Sequence, residues 1–176
     1  TDYLAPFGCT DHLHGGLVGF DKQVWSLEAR SETSLTLALL SPDGAEGYPG
    51  AVTARVTYSL PKPTQLKIEY AARADAPTPL NLTNHTYFNL AGEGDPTILD
   101  HELTLPGDKY VATDKTNIPT SLDDVSGTPF DFRKPTLIGK RIEADHPQIK
   151  FGKGYDHTWV VKRDGEGLAH AATLRD

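Results

Sequence analysis

The sequence predicts an all-β fold of antiparallel strands, arranged as a sandwich or a barrel. Along several runs of the chain, apolar and polar side chains alternate with a period of two, which is typical of strands that bury one face. The 16 glycines and 13 prolines separate these runs in the way that turn residues do. A helical spacing of apolar residues is visible over residues 136–143 alone, so we expect few helices or none.

The two clearest strands are predicted at residues 51–60 and 65–72. In the first, the even-numbered positions from residue 52 onward are apolar or aromatic, and the positions between them hold Thr, Arg and Ser. The second shows the same alternation from Leu66 to Tyr70. Two prolines lie between the runs, so a hairpin-like connection is expected. Shorter strands are predicted at residues 24–29, 34–40, 99–105, 157–162 and 168–174.

Charge, apolar content and cysteine content restrict the classes of function. The 176 residues carry a net charge of −7, which argues against a nucleic-acid partner because phosphate binding requires clustered Lys and Arg. The longest apolar run, residues 37–40, is far too short to cross a membrane. Cys9 is the single cysteine, which excludes an internal disulfide and a cysteine-based zinc site. We expect a small neutral partner, and a cytoplasmic location because residues 1–6 contain no secretory signal.

Residues 79–92 hold the densest group of hydrogen-bonding side chains. If the segment is a strand, its leucines and Phe88 point to the core, and the opposite face is polar. The residues of that polar face are Asn81, Thr83, His85, Tyr87 and Asn89. Neutral side chains that both donate and accept hydrogen bonds suit sugar hydroxyls, and an aromatic ring can cover the apolar face of a sugar. The pattern therefore favours sugar binding over a plain solvent-facing strand.

Two further groups of residues are candidates for a site. His12 and His14 would share a strand face and could bind a metal ion, but no third ligand lies near them in the sequence, so we expect no metal. Asp156 precedes the predicted strand at 157–162. From the residues alone, its carboxylate either accepts hydrogen bonds from a sugar or caps the strand from a turn.

Five motifs, in this order and spacing, resemble the aldose 1-epimerase (galactose mutarotase) family. They are HGG at 14–16 with GFDK at 19–22, SPDG at 41–44 with EGYPG at 46–50, NLTNH at 81–85 with YFNLAG at 87–92, PFDFR at 129–133, and GYDH at 154–157. The matched motifs cover about residues 12–174, and residues 1–11 match none of them. The resemblance implies a β-supersandwich that interconverts the α and β anomers of free hexoses without a metal or organic cofactor. We expect residues 1–176 to form a single partial domain of this kind, truncated at both ends.

The resemblance also implies roles for individual residues. His85 matches the proton donor to the ring oxygen of the sugar, and His14 matches the second active-site histidine. Asp156 matches a carboxylate that binds sugar hydroxyls, and we add Asn84 and Tyr87 of the third motif to the substrate-binding residues. The general base of the family is a glutamate near its C-terminus, with which no residue of this sequence aligns.

Asp43 and Glu46, in the second motif, are interpreted as residues that structure a loop, because Ser-Pro-Asp-Gly is first of all a turn signal. Two alternatives to an epimerase are considered. A non-catalytic relative would bind sugar without accelerating the exchange of anomers. A glycoside hydrolase would need a carboxylate pair about 5 to 10 Å apart, which the sequence does not support.

Overall fold

The structure, a computed structural model, describes residues 12–176. The chain divides into two compact units, one ending at His85 and the other running from Thr86 to Asp176. Among the described residues there are nine strands, every pairing between them is antiparallel, and one short α-helix is present. The prediction of an antiparallel all-β fold with few helices is confirmed. Cys9 lies outside the described residues.

The first unit is built on a four-stranded sheet. Its strands follow the chain order and are β1 (Ser26–Arg30), β2 (Ser34–Ser41), β3 (Val52–Lys62) and β4 (Gln65–Ala74). These four strands were predicted within two residues at each end. Because the side chains alternate, Val52, Ala54 and Val56 on β3 are buried, and Leu39 of β2 is buried opposite Ala54.

The second unit contains two smaller sheets and the helix. In one sheet, β5 (Glu102–Thr104) lies between β8 (Thr136–Leu137) and β9 (Thr173–Arg175); the other pairs β6 (Lys109–Thr113) with β7 (Pro119–Asp124). Helix α1 spans Pro147–Gly152, with a proline in its first turn and the His146 side chain accepting a hydrogen bond from the Gln148 N–H. Neither α1 nor the β6–β7 hairpin was predicted.

Aromatic packing forms the core of the second unit. The rings of Tyr110 and Phe130 are stacked, with centroids 4.3 Å apart and planes at 11°. Trp159 packs against this cluster, and its indole N–H donates to the Phe130 carbonyl at 3.0 Å. This contact lets the ring be largely covered while its polar atom stays satisfied.

Three predicted elements are wrong. Residues 136–143 do not form one continuous helix, because Thr136 and Leu137 pair with β5 and a single 3-10 turn occupies Ile138–Lys140. Residues 157–162 form no strand in the described structure beyond one bridge between Trp159 and Tyr110. Residues 79–92 likewise pair with none of the described strands. The side chains of Leu80, Phe88 and Leu90 are 45%, 65% and 49% exposed instead of pointing to a core.

No helix among the described residues has the length and the apolar composition needed to cross a membrane.

Candidate active site

The first unit contains an open groove of about 1190 Å³. Its lining combines apolar residues of β2, β3 and β4 with polar side chains from the loop before β1, the β2–β3 connection and the segment after β4. Those polar side chains include His14, Glu46, Tyr48, Asn81, Asn84 and His85. Small-molecule pockets commonly have volumes of about 300–1,000 Å³, so the groove has room for a monosaccharide.

The groove brings together three of the predicted site residues, His14, Asn84 and His85. The imidazole rings of His14 and His85 lie edge to face, with centroids 6.2 Å apart and planes at 72°. Both side chains are exposed. Two exchangeable nitrogen-bearing rings at this separation can both contact one small molecule.

His14 lies in a tight loop of left-handed backbone. Its φ is 55°, and the φ values of Gly15 and Gly16 are 80° and 100°. The Gly16 N–H donates to the Leu13 carbonyl at 3.1 Å, which closes the turn around His14. A side chain at Gly19 would meet the His14 carbonyl oxygen at 2.3 Å, so glycine is required there for the chain to fold back on itself.

The Glu46 carboxylate binds this loop from the β2–β3 connection. Its Oε2 accepts the Leu17 N–H at 2.9 Å, and its Oε1 accepts the Val18 N–H at 3.0 Å. Gly16 lies directly against the carboxylate, because a Cβ there would be 2.1 Å from Oε2. The interpretation of Glu46 as a residue that structures a loop is confirmed.

Asp43 structures the β2–β3 connection itself. Its Oδ1 accepts the Gly50 N–H at 2.6 Å, across the turn that contains the 3-10 helix Ala45–Gly47. Gly50 has a φ of 81° and lies close to Ala76, so the connection packs against the residues that follow β4. The interpretation of Asp43 as a loop residue is confirmed as well.

His12 packs with its ring centroid 4.9 Å from that of Tyr48. In the part of the chain that the structure describes, no group of three or more His, Cys, Asp or Glu side chains is placed to hold a metal ion. The hypothesis of a metal site at His12 and His14 therefore finds no further ligand there.

Two other residues of the third motif were predicted to bind substrate. Asn84 is exposed and lines the groove of the first unit, and Tyr87 is 87% exposed in the second unit. Asn89 was expected on the polar face, but its amide is used within its own turn: Oδ1 accepts the Ala91 N–H at 3.2 Å and Nδ2 donates to the Asp95 carbonyl at 3.1 Å. The polar face predicted for a strand is thus not formed as a single face.

Asp156 is exposed in the second unit, whereas the side chain of its neighbour His157 is partly buried. Since no strand starts at residue 157, the alternative in which Asp156 caps a strand is not supported. Gly152 packs against both residues: a Cβ there would be 3.0 Å from the His157 ring and 3.2 Å from the Asp156 Cβ. Asp156 therefore lies in a segment that packs closely against Gly152 of helix α1.

A hydrogen-bond network holds His157 in place. Gln148 on α1 pairs with the backbone of Thr113, accepting its N–H at 2.8 Å and donating to its carbonyl at 2.7 Å. These bonds orient the amide, so that the Gln148 Oε1 is the acceptor facing His157 Nε2 at 3.0 Å. His157 therefore carries its proton on Nε2.

Burial lowers the pKa of His157 from its usual 6.5 and outweighs the opposite effect of the Asp156 carboxylate, while His146 lowers it further. The Nδ1 atom is buried and has no hydrogen-bond partner among the described residues, so a second proton there would be unsatisfied. This network was not predicted from the sequence, in which Pro147 and Gln148, at the start of the helix, are its one local signal.

Comparison with known proteins shows the relatives of this chain. The aldose 1-epimerase family matches residues 3–176, a range that begins ahead of the first of the five motifs. The galactose mutarotase of Rattus norvegicus is 45% identical over 169 residues, which cover 93% of this chain and 47% of that protein. The aldose 1-epimerase of Escherichia coli K12 is 40% identical over 170 residues, covering 96% of this chain and 49% of that protein.

A solved structure supports the same relationship. The crystal structure of galactose 1-epimerase from Lactobacillus acidophilus NCFM superposes with a TM-score of 0.84 at 33% identity, covering 98% of this chain and 51% of that chain. The chain thus spans about half the length of the relatives that it matches.

Proposed function

Because this chain belongs to the aldose 1-epimerase family, we propose that the protein interconverts the α and β anomers of free aldohexoses such as galactose and glucose. Exchange of anomers requires the hemiacetal ring to open. One group must protonate the ring oxygen while another removes the proton from the C1 hydroxyl, and after rotation about the C1–C2 bond the ring closes again. These steps are proton transfers, and they need no cofactor.

The observation that carries this proposal is the pair of His14 and His85 in the groove of the first unit. The acid must give up a proton and regain it in every cycle. Histidine suits this role because its ordinary pKa of about 6.5 lets it exchange protons near neutral pH. We assign protonation of the ring oxygen to His85, and a hydrogen bond to the same oxygen to His14.

The remaining substrate contacts are assigned by family resemblance. Asp156 accepts hydrogen bonds from sugar hydroxyls, and Asn84 and Tyr87 contribute neutral hydrogen-bonding groups. All three side chains are exposed, as groups that must exchange water for substrate hydroxyls should be. The base implied by the resemblance is a glutamate, and we assign that role to none of the carboxylates of this chain.

A free hexose is the proposed partner, and nucleic acid and membranes are not. The net charge of −7 is unfavourable for binding phosphate backbones or anionic lipid surfaces. A cytoplasmic location remains part of the proposal.

Mutarotation of fresh sugar tests the proposed function. The full-length gene product should accelerate the approach of α-D-galactose to its anomeric equilibrium, followed by polarimetry, in proportion to protein concentration. α-D-Glucose serves as the second substrate. If galactose binding is detected by calorimetry without any acceleration, the protein is a sugar-binding relative and the proposed activity is wrong.

A further inference from the structure

We propose that Glu46 is a positioning residue that sets the location of His14 in the groove. The inference rests on the proposed function for its effect on catalysis, whereas the structural relationship between the two residues can be measured without activity. Glu46 precedes β3, and its carboxylate contacts the backbone of the loop that carries His14, 28 and 29 residues away in the sequence.

The geometry of the contact identifies the carboxylate as a specific ligand of this loop. Leu17 and Val18 present two consecutive backbone N–H groups, and each carboxylate oxygen accepts one of them, at 2.9 and 3.0 Å. Successive N–H groups next to left-handed residues form a concave site for an anion. Here the anion is a side chain of the protein itself. A neutral side chain of the same shape cannot accept both hydrogen bonds.

Gly16 completes the fit. It lies between His14 and the two N–H groups, at a φ of 100°, and its missing side chain leaves the space that the carboxylate occupies. A methyl group at Gly16 would lie 2.1 Å from Oε2 and 2.7 Å from Cδ of Glu46, so the carboxylate and an alanine cannot both be accommodated. The position of the Glu46 carboxylate therefore requires a glycine at position 16.

Other hydrogen bonds of the loop come from its own turn and from side chains. Residues 13–19 lie outside the strands of the described part of the chain, so no strand ladder there fixes them. The carbonyls of Leu17 and Val18 accept hydrogen bonds from the Lys22 and Gln23 side chains, at 3.0 and 3.4 Å.

His14 itself has a φ of 55°, an unfavourable conformation for a residue with a side chain, which persists only where its surroundings impose it. Glu46 has the same kind of backbone, with a φ of 48°. The two segments that this pair of hydrogen bonds joins thus each contain a residue in an unfavourable conformation. Loss of the carboxylate releases the turn that begins three residues after His14, and His14 moves relative to His85.

A purely stabilising role for Glu46 is the alternative, and a matched set of variants separates the two. Glu46→Gln keeps the shape of the side chain but places an N–H group against a backbone N–H. Gly16→Ala displaces the carboxylate from the other side and also strains a backbone with a φ of 100°, so Glu46→Gln is the deciding variant. Asp43→Asn is the control, because it makes the same carboxylate-to-amide change in the same connection and keeps an oxygen for the Gly50 N–H.

In the full-length protein, Glu46→Gln and Gly16→Ala should each lower kcat for galactose mutarotation about 10- to 100-fold, since a catalytic group displaced by about 1 Å loses that much. KM should change by less than about threefold, because the hydrogen bond from His14 is the one ground-state contact of the sugar that is altered. The double variant should be little worse than Gly16→Ala alone, since the contact with the carboxylate is already broken in Gly16→Ala. Asp43→Asn should retain the kcat of the unsubstituted protein.

A second measurement is independent of activity. The ring Cε1–H resonance of His14, assigned by its disappearance in His14→Asn, should shift in Glu46→Gln and Gly16→Ala and stay in place in Asp43→Asn. An unchanged His14 resonance in folded Glu46→Gln overturns the inference. An increase in KM without a decrease in kcat also overturns it, because Glu46 would then be a substrate ligand. If the unsubstituted protein does not accelerate mutarotation, the proposed function fails, and the resonance still decides the role of Glu46.

Discussion

The rings of His14 and His85 lie edge to face, 6.2 Å apart between centroids, although 70 residues of chain separate them. One ring comes from a loop before β1 and the other from the segment that follows β4. The four-stranded sheet brings these two segments to the same groove. The arrangement gives the first unit two groups that can exchange protons with one ligand.

His85→Asn should abolish most of the proposed activity. Asparagine keeps a hydrogen-bonding group at about the same size but cannot deliver a proton. In the full-length protein we expect kcat for galactose mutarotation to fall by roughly 10²–10⁴-fold, which is the usual contribution of one general acid or base. Polarimetry at several sugar concentrations measures the effect on kcat and KM separately.

His170→Asn is the control for this change. His170 is also an exposed histidine, but it lies in the second unit, just before β9, where its ring bonds to the Thr173 hydroxyl. Its replacement should leave kcat unaltered. A decrease of less than about tenfold in a correctly folded His85→Asn protein would exclude His85 as the acid.

The fold could be predicted where a strand shows its burial in its own sequence. Strand β3 alternates over its length and pairs on both sides, so residue identity and tertiary structure agree. Strand β7 is exposed throughout and carries no apolar alternation, and its partner β6 is short, so neither was identified. Residues 79–92 alternate in sequence but have no described ladder partner, and alternation cannot indicate whether a partner exists.

The site could be predicted only in part, for a related reason. His14 and His85 were identified because each lies in a motif of neighbouring residues. The hydrogen bonds that Glu46 accepts from Leu17 and Val18 join segments 28 to 29 residues apart, and a local sequence pattern cannot predict contacts at that separation. The same holds for Gln148 and Thr113, which are 35 residues apart.

Asp156→Asn should affect binding more than turnover. If the carboxylate accepts hydrogen bonds from hydroxyl groups that do not change during ring opening, it stabilises the ground state and the transition state equally. We therefore expect KM to rise by about tenfold or more while kcat falls by less than about threefold. Initial rates over a range of galactose concentrations give both values, and a defect confined to kcat would contradict this assignment.

Gln148→Leu should destabilise the second unit. Leucine fills a similar volume but leaves three groups without their side-chain partner: the N–H and carbonyl of Thr113, which is only 7% exposed, and the Nε2–H of His157. Each buried polar group left unsatisfied costs about 1–3 kcal/mol, so the free energy of unfolding should fall by about 3 kcal/mol or more. Urea denaturation followed by tryptophan fluorescence measures the change, since Trp159 lies in this core.

Thr113→Val is the matched control for Gln148→Leu. It removes the hydroxyl, whose distance to Gln148 is 3.4 Å, and leaves both backbone hydrogen bonds in place. The decrease in unfolding free energy should stay below about 1 kcal/mol. Equal losses in the two variants would show that the backbone pairing contributes little.

The buried ring of His157 should make stability depend on pH. Burial lowers the pKa of His157 in the folded protein below its usual 6.5, so in the interval between the two values the unfolded chain binds more protons than the folded one. The free energy of unfolding should therefore be highest above pH 6.5 and fall as the pH decreases below it. One proton limits the slope to about 1.4 kcal/mol per pH unit.

His157→Phe tests this origin of the pH dependence. The rings of His157 and Phe130 have centroids 4.5 Å apart, and phenylalanine at position 157 would keep this ring contact. It would lose the hydrogen bond to Gln148, whose amide still pairs with Thr113. At pH 8 the variant should lose about 0.5–1.5 kcal/mol, the worth of one hydrogen bond. Between pH 6.5 and 5 it should lose less stability than the unsubstituted protein does, because its ring accepts no proton. Urea denaturation at each pH gives the two slopes, and equal slopes would mean that another group causes the decline.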